Sequence, residues 1–228
     1  MRIGIIGAMQ MEVDNLKDAI ANQKVTTVSG VEFVSGNIGN VEVISAVCGV
    51  GKVFAAICTE AMILTFHPDQ IINIGVAGSL TKDLGILDMA VAKNLCQHDM
   101  DTSPIGDPVG LLSGINMIFL PTDEDMVNNL CDCIREEGIT FKKGTIASGD
   151  QFIARDEQRD YIRDHFEAIA AEMEGASIGH VCYVNQVPFA VLRAISDSEG
   201  GEMDYQTFAE KAAERSVDIV LKFIARIG

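Results

Sequence analysis

The chain has no tryptophan and only three tyrosines, and its 17 lysines and arginines are outnumbered by 33 aspartates and glutamates. A formal charge of -16 without any cluster of cations repels a phosphate backbone, which argues against nucleic acid and anionic membrane as partners. Apolar residues never run for about 18 positions, so no membrane-spanning helix is expected. Met1–Ala8 carries one cation and a short apolar run and then turns acidic at Glu12 and Asp14, which reads as a buried first strand rather than a secretion signal. Six cysteines, at 48, 58, 96, 131, 133 and 182, are too few to staple a chain of 228 residues. They are expected as buried free thiols in a reducing, cytoplasmic setting.

What is present is apolar: 48% of the residues are hydrophobic, with no linker-like interruption, which predicts one α/β domain over residues 1–228. Strands are expected near 3–7, 25–28, 32–38, 41–48, 70–75, 89–96, 143–148, 168–172 and 189–195. Helices are expected at 9–21, 52–66, 124–137, 157–165, through Ala176–Val181, and from Asp204 to the end. Asp204 is the expected cap of that last helix, with Met203 and Phe208 stapling its first turn. Gly75–Gly78 reads as a glycine-rich turn, and His98–Gly114 as a long loop of the kind that often carries function. Close alternation of strands and helices predicts a mostly parallel or mixed sheet with helices on both faces.

Several familiar signals are incomplete. Gly4 and Gly7 lack the third glycine of a dinucleotide fingerprint. Gly49, Gly51 and Lys52 resemble the end of a phosphate-binding loop, but Ser45 and Val53 replace its first glycine and its magnesium-binding hydroxyl. His98, Asp99 and Asp101 match no metal-ligand spacing, so neither a metal nor another cofactor is expected. Cys131 and Cys133 point apart on a helix, and Cys182 near His180 lacks an ordering third group.

The informative residues are charges at the ends of apolar strands, where open α/β sheets place their ligands. Glu12 follows the first strand and could simply favour a helix N-terminus. Glu172 and Glu174 flank Met173 at the end of an otherwise apolar segment. Phe189, Val191, Arg193, Ile195 and Asp197 share one face of a strand that reads as central. Arg193 could be a structural cation for Glu172 or Glu174, and Asp197 could cap a turn or meet a ligand. Acids converging without lysines or a serine motif suit cleavage of a glycosidic bond. One carboxyl gives a proton to the leaving group, another draws one from water, and negative charge stabilises the cationic sugar between them.

At these residues the chain resembles the 5′-methylthioadenosine/S-adenosylhomocysteine nucleosidases of the nucleoside phosphorylase superfamily. The resemblance rests on Gly4–Met9 with Glu12, Gly49–Lys52, Ile72–Gly78, His98–Asp99, Ser148–Ile153, Glu172–Glu174 and Arg193–Asp197, in that order. It implies a three-layer α/β/α sandwich with a central mixed sheet, assembled as a homodimer. It implies hydrolysis of both nucleosides to adenine and the matching thioribose. In that reading Asp197, supported by Ser196, protonates the purine and Glu12 activates water. Glu174 holds the ribose hydroxyls, Met173 lies against the sugar, and Arg193 orders the water and carboxylates. Phe152 stacks on adenine, the backbone at Ile153 reads the base edge, and Met9, Val76 and Phe208 line the pocket. The loop 102–108, with Ile105 foremost, comes from the neighbouring subunit. That loop and residues 198–203 depart from the family pattern, so a methylthio, homocysteine, 5′-deoxy or futalosine-type tail remains open.

Two rivals follow. A phosphorylase of the same superfamily would need donors for phosphate where Glu12 supplies a like charge. A nucleoside-binding protein without turnover would have little use for both an acid and a base.

Overall fold

The computed structural model describes residues 1–197 and 205–228. Its strands are β1 (Arg2–Gly7), β2 (Ala21–Val28), β3 (Val31–Ile38), β4 (Val41–Val47), β5 (Gln70–Asn73), β6 (Val76–Ser79), β7 (Met89–Gln97), β8 (Leu120–Pro121), β9 (Phe141–Ser148), β10 (Ala168–Glu172) and β11 (Phe189–Asp197). Its helices are α1 (Asp14–Ala19), α2 (Lys52–Phe66), α3 (Glu124–Glu136), α4 (Asp156–Phe166), α5 (Gly175–Asn185) and α6 (Tyr205–Ile227).

The sheet runs β2-β3-β4-β1-β5-β11-β6-β10-β9-β7-β8 and is mixed. Strand alternation decides which helices cover which face. In β1, Ile3 and Ile5 join one core with Leu16 of α1, Leu130 of α3 and Phe223 of α6. Ile6 points the other way, into a core containing Cys58 and Met62 of α2 and Ile178 of α5. Helices thus lie on both sides, giving the three layers expected. Burial of each such side chain contributes about 1.5–3 kcal/mol.

Three sequence expectations need correction. Gly75–Gly78 is not a turn: Gly75, at φ 151, breaks the chain after β5, and Val76 starts a short strand held between β11 and β10. The helix expected over 9–21 is a 3-10 turn at Gln10–Glu12 followed by α1, because the Glu12 carboxylate folds back onto the amides of Ala8 and Met9. Asn22, at φ 56, sits within β2, which already begins at Ala21. The paired strand Leu120–Pro121 gave no periodic signal because it is two residues long. The cap at Asp204 and its staple from Met203 lie outside the described residues.

The sheet also does something that alternation could not show. Leu192–Ala194 of β11 pairs antiparallel with β7, while its ends pair parallel with β5 and β6. Through β6, β10, β9 and β7 the pairing returns to β11, so five strands close a small ring at one end of the sheet. Gly78 of β6 pairs with both Ala171 of β10 and Asp197 of β11, which brings the ends of β10 and β11, with Glu172 and Asp197, to one rim.

Candidate active site

At that rim lies a cavity of about 660 Å³, partly open to solvent, lined among others by Glu12, Glu172, Glu174 and Asp197.

Glu12 is 3% exposed, and among the described residues it makes no ion pair. Its Oε2 accepts from the amides of Ala8 at 2.7 Å and Met9 at 2.9 Å, and its Oε1 from the amide of Val76 at 3.1 Å. The geometry needs Gly75, since a Cβ there would meet Oε1 at 2.5 Å. The Ser216 hydroxyl of α6 donates to the Gly75 carbonyl at 3.2 Å. Burial raises the Glu12 carboxyl above its ordinary range and outweighs the charge of Arg193 and the three amide bonds that pull it down.

The junction of β10 and α5 carries two buried glutamates with different partners. Glu172 receives Arg193 and the Ser148 hydroxyl, and its Oε2 accepts from the amides of Glu174 at 3.0 Å and Gly175 at 2.7 Å. Burial pushes this carboxyl up, but Arg193, Ser148 and the amides together win and hold it below the ordinary glutamate range. Among the described residues, the Glu174 carboxylate accepts only the amide of Gly51, at 2.8 Å. Burial and the neighbouring charge of Glu172 push it up to about 7, against a smaller pull from Arg193. The alternatives that the sequence left for Arg193 are thereby resolved: its partner is Glu172, with Asn73 on the same nitrogen.

Asp197 ends β11 at the cavity edge, where the Ser196 hydroxyl donates to its Oδ1 at 3.0 Å. Along the same wall, Phe152 presents an exposed ring and Ile153 lies half-buried beside it. Met9, Val76 and Met173 are also among the lining residues.

Three expected site residues are not among the residues lining this chain's cavity. Arg193 is 1% exposed and sits behind the wall, because its guanidinium is spent on Glu172 and Asn73. Ile105, in a short turn at Ser103–Ile105, is 82% exposed, and the resemblance places it at the neighbouring subunit's cavity rather than this one. Phe208 is half-buried on α6 and is not among the lining residues. Conversely, sequence reasoning assigned no site role to Ser148, Asn73 or Arg159. Ser148 and Asn73 are ordinary polar ends of strands with no periodic signal, and Arg159, donating to the Ser79 carbonyl at 2.9 Å, reads as a surface cation on α4.

The anion-binding end of α2 is taken by the protein's own acids. Gly51, at φ 99, donates to Glu174, and the Lys52 amide donates to Asp150 at 2.7 Å. A phosphate is therefore not what this phosphate-loop-like segment holds. Asp99 is bound by Lys52 at 2.6 Å, and among the described residues no group of three or more His, Cys, Asp or Glu converges as metal ligands.

A site with one edge acid beside an exposed aromatic ring, and two buried acids held by amides, has the groups to protonate a base and to draw a proton from water. Known proteins are similar throughout. Residues 2–225 match the phosphorylase superfamily. The 5′-methylthioadenosine/S-adenosylhomocysteine nucleosidase of Staphylococcus saprophyticus is 41% identical, covering 99% of this chain and 100% of that one. An aspartate-to-asparagine mutant of the Helicobacter pylori nucleosidase, with 5′-methylthioadenosine in its active site, superposes with a TM-score of 0.94 at 36% identity, covering 99% of this chain and 98% of that one. The native futalosine hydrolase of Helicobacter pylori superposes equally well, with a TM-score of 0.94 at 38% identity over 100% of this chain and 98% of that one. The chain belongs to the phosphorylase superfamily, within its family of 5′-methylthioadenosine/S-adenosylhomocysteine nucleosidases.

Proposed function

We propose that the protein hydrolyses the N-glycosidic bond of 5′-methylthioadenosine and S-adenosylhomocysteine, releasing adenine and the corresponding 5-thioribose. The observation that carries this reading is the single cavity shared by Glu12, Glu174 and Asp197. Asp197, oriented by Ser196, gives a proton to the purine N7 as the bond from N9 to the anomeric carbon breaks. Glu12 takes a proton from water as its oxygen bonds to that carbon. Its raised proton affinity suits a base working near neutrality. Glu174 accepts from the ribose hydroxyls, and its charge, with that of Glu12, favours the cationic sugar more than the neutral substrate. Phe152 supplies a face for adenine, with the Ile153 backbone at its edge and Met173 under the sugar. Arg193 acts from behind by holding Glu172, which in turn receives the amides that start α5.

Purified protein incubated with methylthioadenosine should release adenine and free thioribose at a rate independent of phosphate. Formation of the 1-phosphate would establish the phosphorolytic alternative, and binding without release a non-catalytic one. The similarity to a futalosine hydrolase favours a second reading of tail preference, in which a futalosine-type side chain is accepted at the same adenine and ribose subsites. Steady-state comparison of methylthioadenosine, adenosylhomocysteine, 5′-deoxyadenosine and a futalosine-type nucleoside ranks these.

The same reading includes a homodimer. The outer faces of α2 and α5 leave Val53, Phe54, Leu64 and Val184 between 58% and 68% exposed, an apolar area that a second subunit would cover. Loop 102–108, with Ile105 outward, would then border the neighbouring cavity. Sedimentation at micromolar concentration should give a dimer, and a fully active monomer would contradict it. No helix among the described residues is long and apolar enough to cross a membrane, and six unpaired buried cysteines fit a reducing, cytoplasmic setting.

A further inference from the structure

Among the described residues, four acids line the cavity but only one cation, Arg159 of α4. The hydrolysis outlined above gives that cation no task. It is half-buried, and its Nη2 donates to the Ser79 carbonyl at 2.9 Å, the one acceptor it meets among the described residues. Strand β6 fixes where along the wall it stands. At the start of β6 the Val76 amide donates to Glu12 at 3.1 Å, which marks the end where water and the sugar meet. Gly78 is in register with Asp197, and a Cβ there would come within 2.9 Å of Asp197 Oδ2, so this acid lies against bare backbone. Ser79, the next residue, holds Arg159. Each strand residue advances about 3.3 Å, so the order along β6 is Glu12, then Asp197, then the guanidinium.

A purine carries its 6-substituent beside N7, on the same edge. With N7 at Asp197, the neighbouring position along the wall belongs to that substituent. A guanidinium has donors and no acceptor. It therefore matches a 6-oxo group, which accepts, and not the 6-amino group of adenine, which offers hydrogens. Arginine selects guanine over adenine in duplex grooves by the same pairing, where asparagine or glutamine selects adenine. We propose that Arg159 is a specificity-determining residue that opens the base subsite to 6-oxopurine nucleosides as well as adenine nucleosides. The proposal rests on the nucleosidase reading for the orientation of the base. The step balances as it does for adenine. The bond from N9 to the anomeric carbon breaks with its electron pair passing to the purine, and Asp197 gives N7 a proton. The water oxygen bonds to the carbon, and Glu12 takes the proton it releases. Charge gained by the departing base spreads to its 6-oxygen, so the contact with Arg159 strengthens as the bond breaks. Adenine occupies the same subsite with Arg159 left on the Ser79 carbonyl.

The test compares methylthioadenosine with its 6-oxo counterpart, 5′-methylthioinosine. Wild-type protein should release hypoxanthine from the latter with kcat/KM within about a hundredfold of that for methylthioadenosine. Arg159→Leu should lower the ratio of methylthioinosine to methylthioadenosine kcat/KM by about 10- to 100-fold, the value of one matched base contact. Arg159→Gln, whose carboxamide oxygen can accept from a 6-amino group, should lower it at least as far. A wild-type preference for methylthioadenosine above about a hundredfold would overturn the proposal. So would variants that lose both activities in equal proportion, the sign of a brace between α4 and β6. Calorimetry with free hypoxanthine and adenine makes the same comparison without turnover. If neither nucleoside is hydrolysed, the nucleosidase reading fails, and the two bases still judge Arg159. A hypoxanthine-to-adenine affinity ratio that falls in Arg159→Leu supports the assignment, and an unchanged ratio overturns it.

Discussion

The back wall of the cavity and its two flanks are built from the same residue type but are treated differently. At the back, Glu172 meets a cation, a hydroxyl and two amides, and its proton affinity is held down. At the flanks, Glu12 and Glu174 are as deeply buried but among the described residues receive only backbone amides, and both bind protons more tightly than an ordinary glutamate. Amide dipoles orient a carboxylate without cancelling its desolvation, whereas a guanidinium cancels much of it. A carboxylate matched to a cation is committed to structure, and one left with amides alone keeps a proton within reach of neutral pH. The division of labour follows from which acids the single buried arginine touches.

The sharpest way to break this comparison is at the acids given chemical roles. Asp197→Asn should lower kcat by about 10³-fold and Glu12→Gln by about 10²-fold or more, both with the circular dichroism spectrum retained. Glu12→Gln should still bind substrate. Rapid turnover by either variant would remove that residue from proton transfer.

Glu172→Gln attacks the other side of the comparison. It leaves Arg193 buried without its counter-ion and should cost about 3–5 kcal/mol in denaturant unfolding. A variant as stable as wild type would show that the back wall is not held by this pair.

Glu174 separates the two by pH. Its folded-state affinity for a proton, about 7, lies above the ordinary 4.5, so the folded protein retains a proton that the unfolded chain releases between those values. Its contribution to stability is therefore greatest below about pH 4.5 and declines as pH rises toward 7. Glu174→Gln should flatten that decline. Substrate binding runs the other way, because the ribose hydroxyls need the ionised form. KM should fall as pH rises through about 7 in the wild type, and this dependence should vanish in the variant.

The smallest effect concerns the exposed wall. Phe152→Ala should raise KM about tenfold or less through lost stacking, with stability nearly unchanged because the ring is 62% exposed. A larger loss of stability than of affinity would make Phe152 a core residue instead.

Much of this was legible before any coordinates. α2 occupies the interval that periodicity and Pro68 marked, and Ala168–Glu172 is the strand its apolar run implied. Glu12, Glu174 and Asp197 stood out because acids at apolar strand ends need a partner or a solvent-filled site. Gly75–Gly78 was misread because four residues of small side chains look like a turn when their hydrogen-bond partners, on β10 and β11, lie far along the chain. Arg193 was placed among the acids correctly but at the wrong depth, since a pattern of alternation gives a side chain's face and not how far the wall stands in front of it.

By itself the amino-acid order determined local matters: which segments bury one face, where glycine and proline interrupt them, and which charges sit where apolar packing would be expected. Only tertiary structure decided that β11 would close a ring through β7, and that Gly78 of β6 would bring the ends of β10 and β11 to one rim. It also decided that Arg193 would neutralise Glu172 and leave Glu174 to a single amide. The reason is physical: a carboxylate's proton affinity depends on partners and burial within a few ångströms, and those neighbours come from segments more than a hundred residues apart in places such as Gly51 and Glu174.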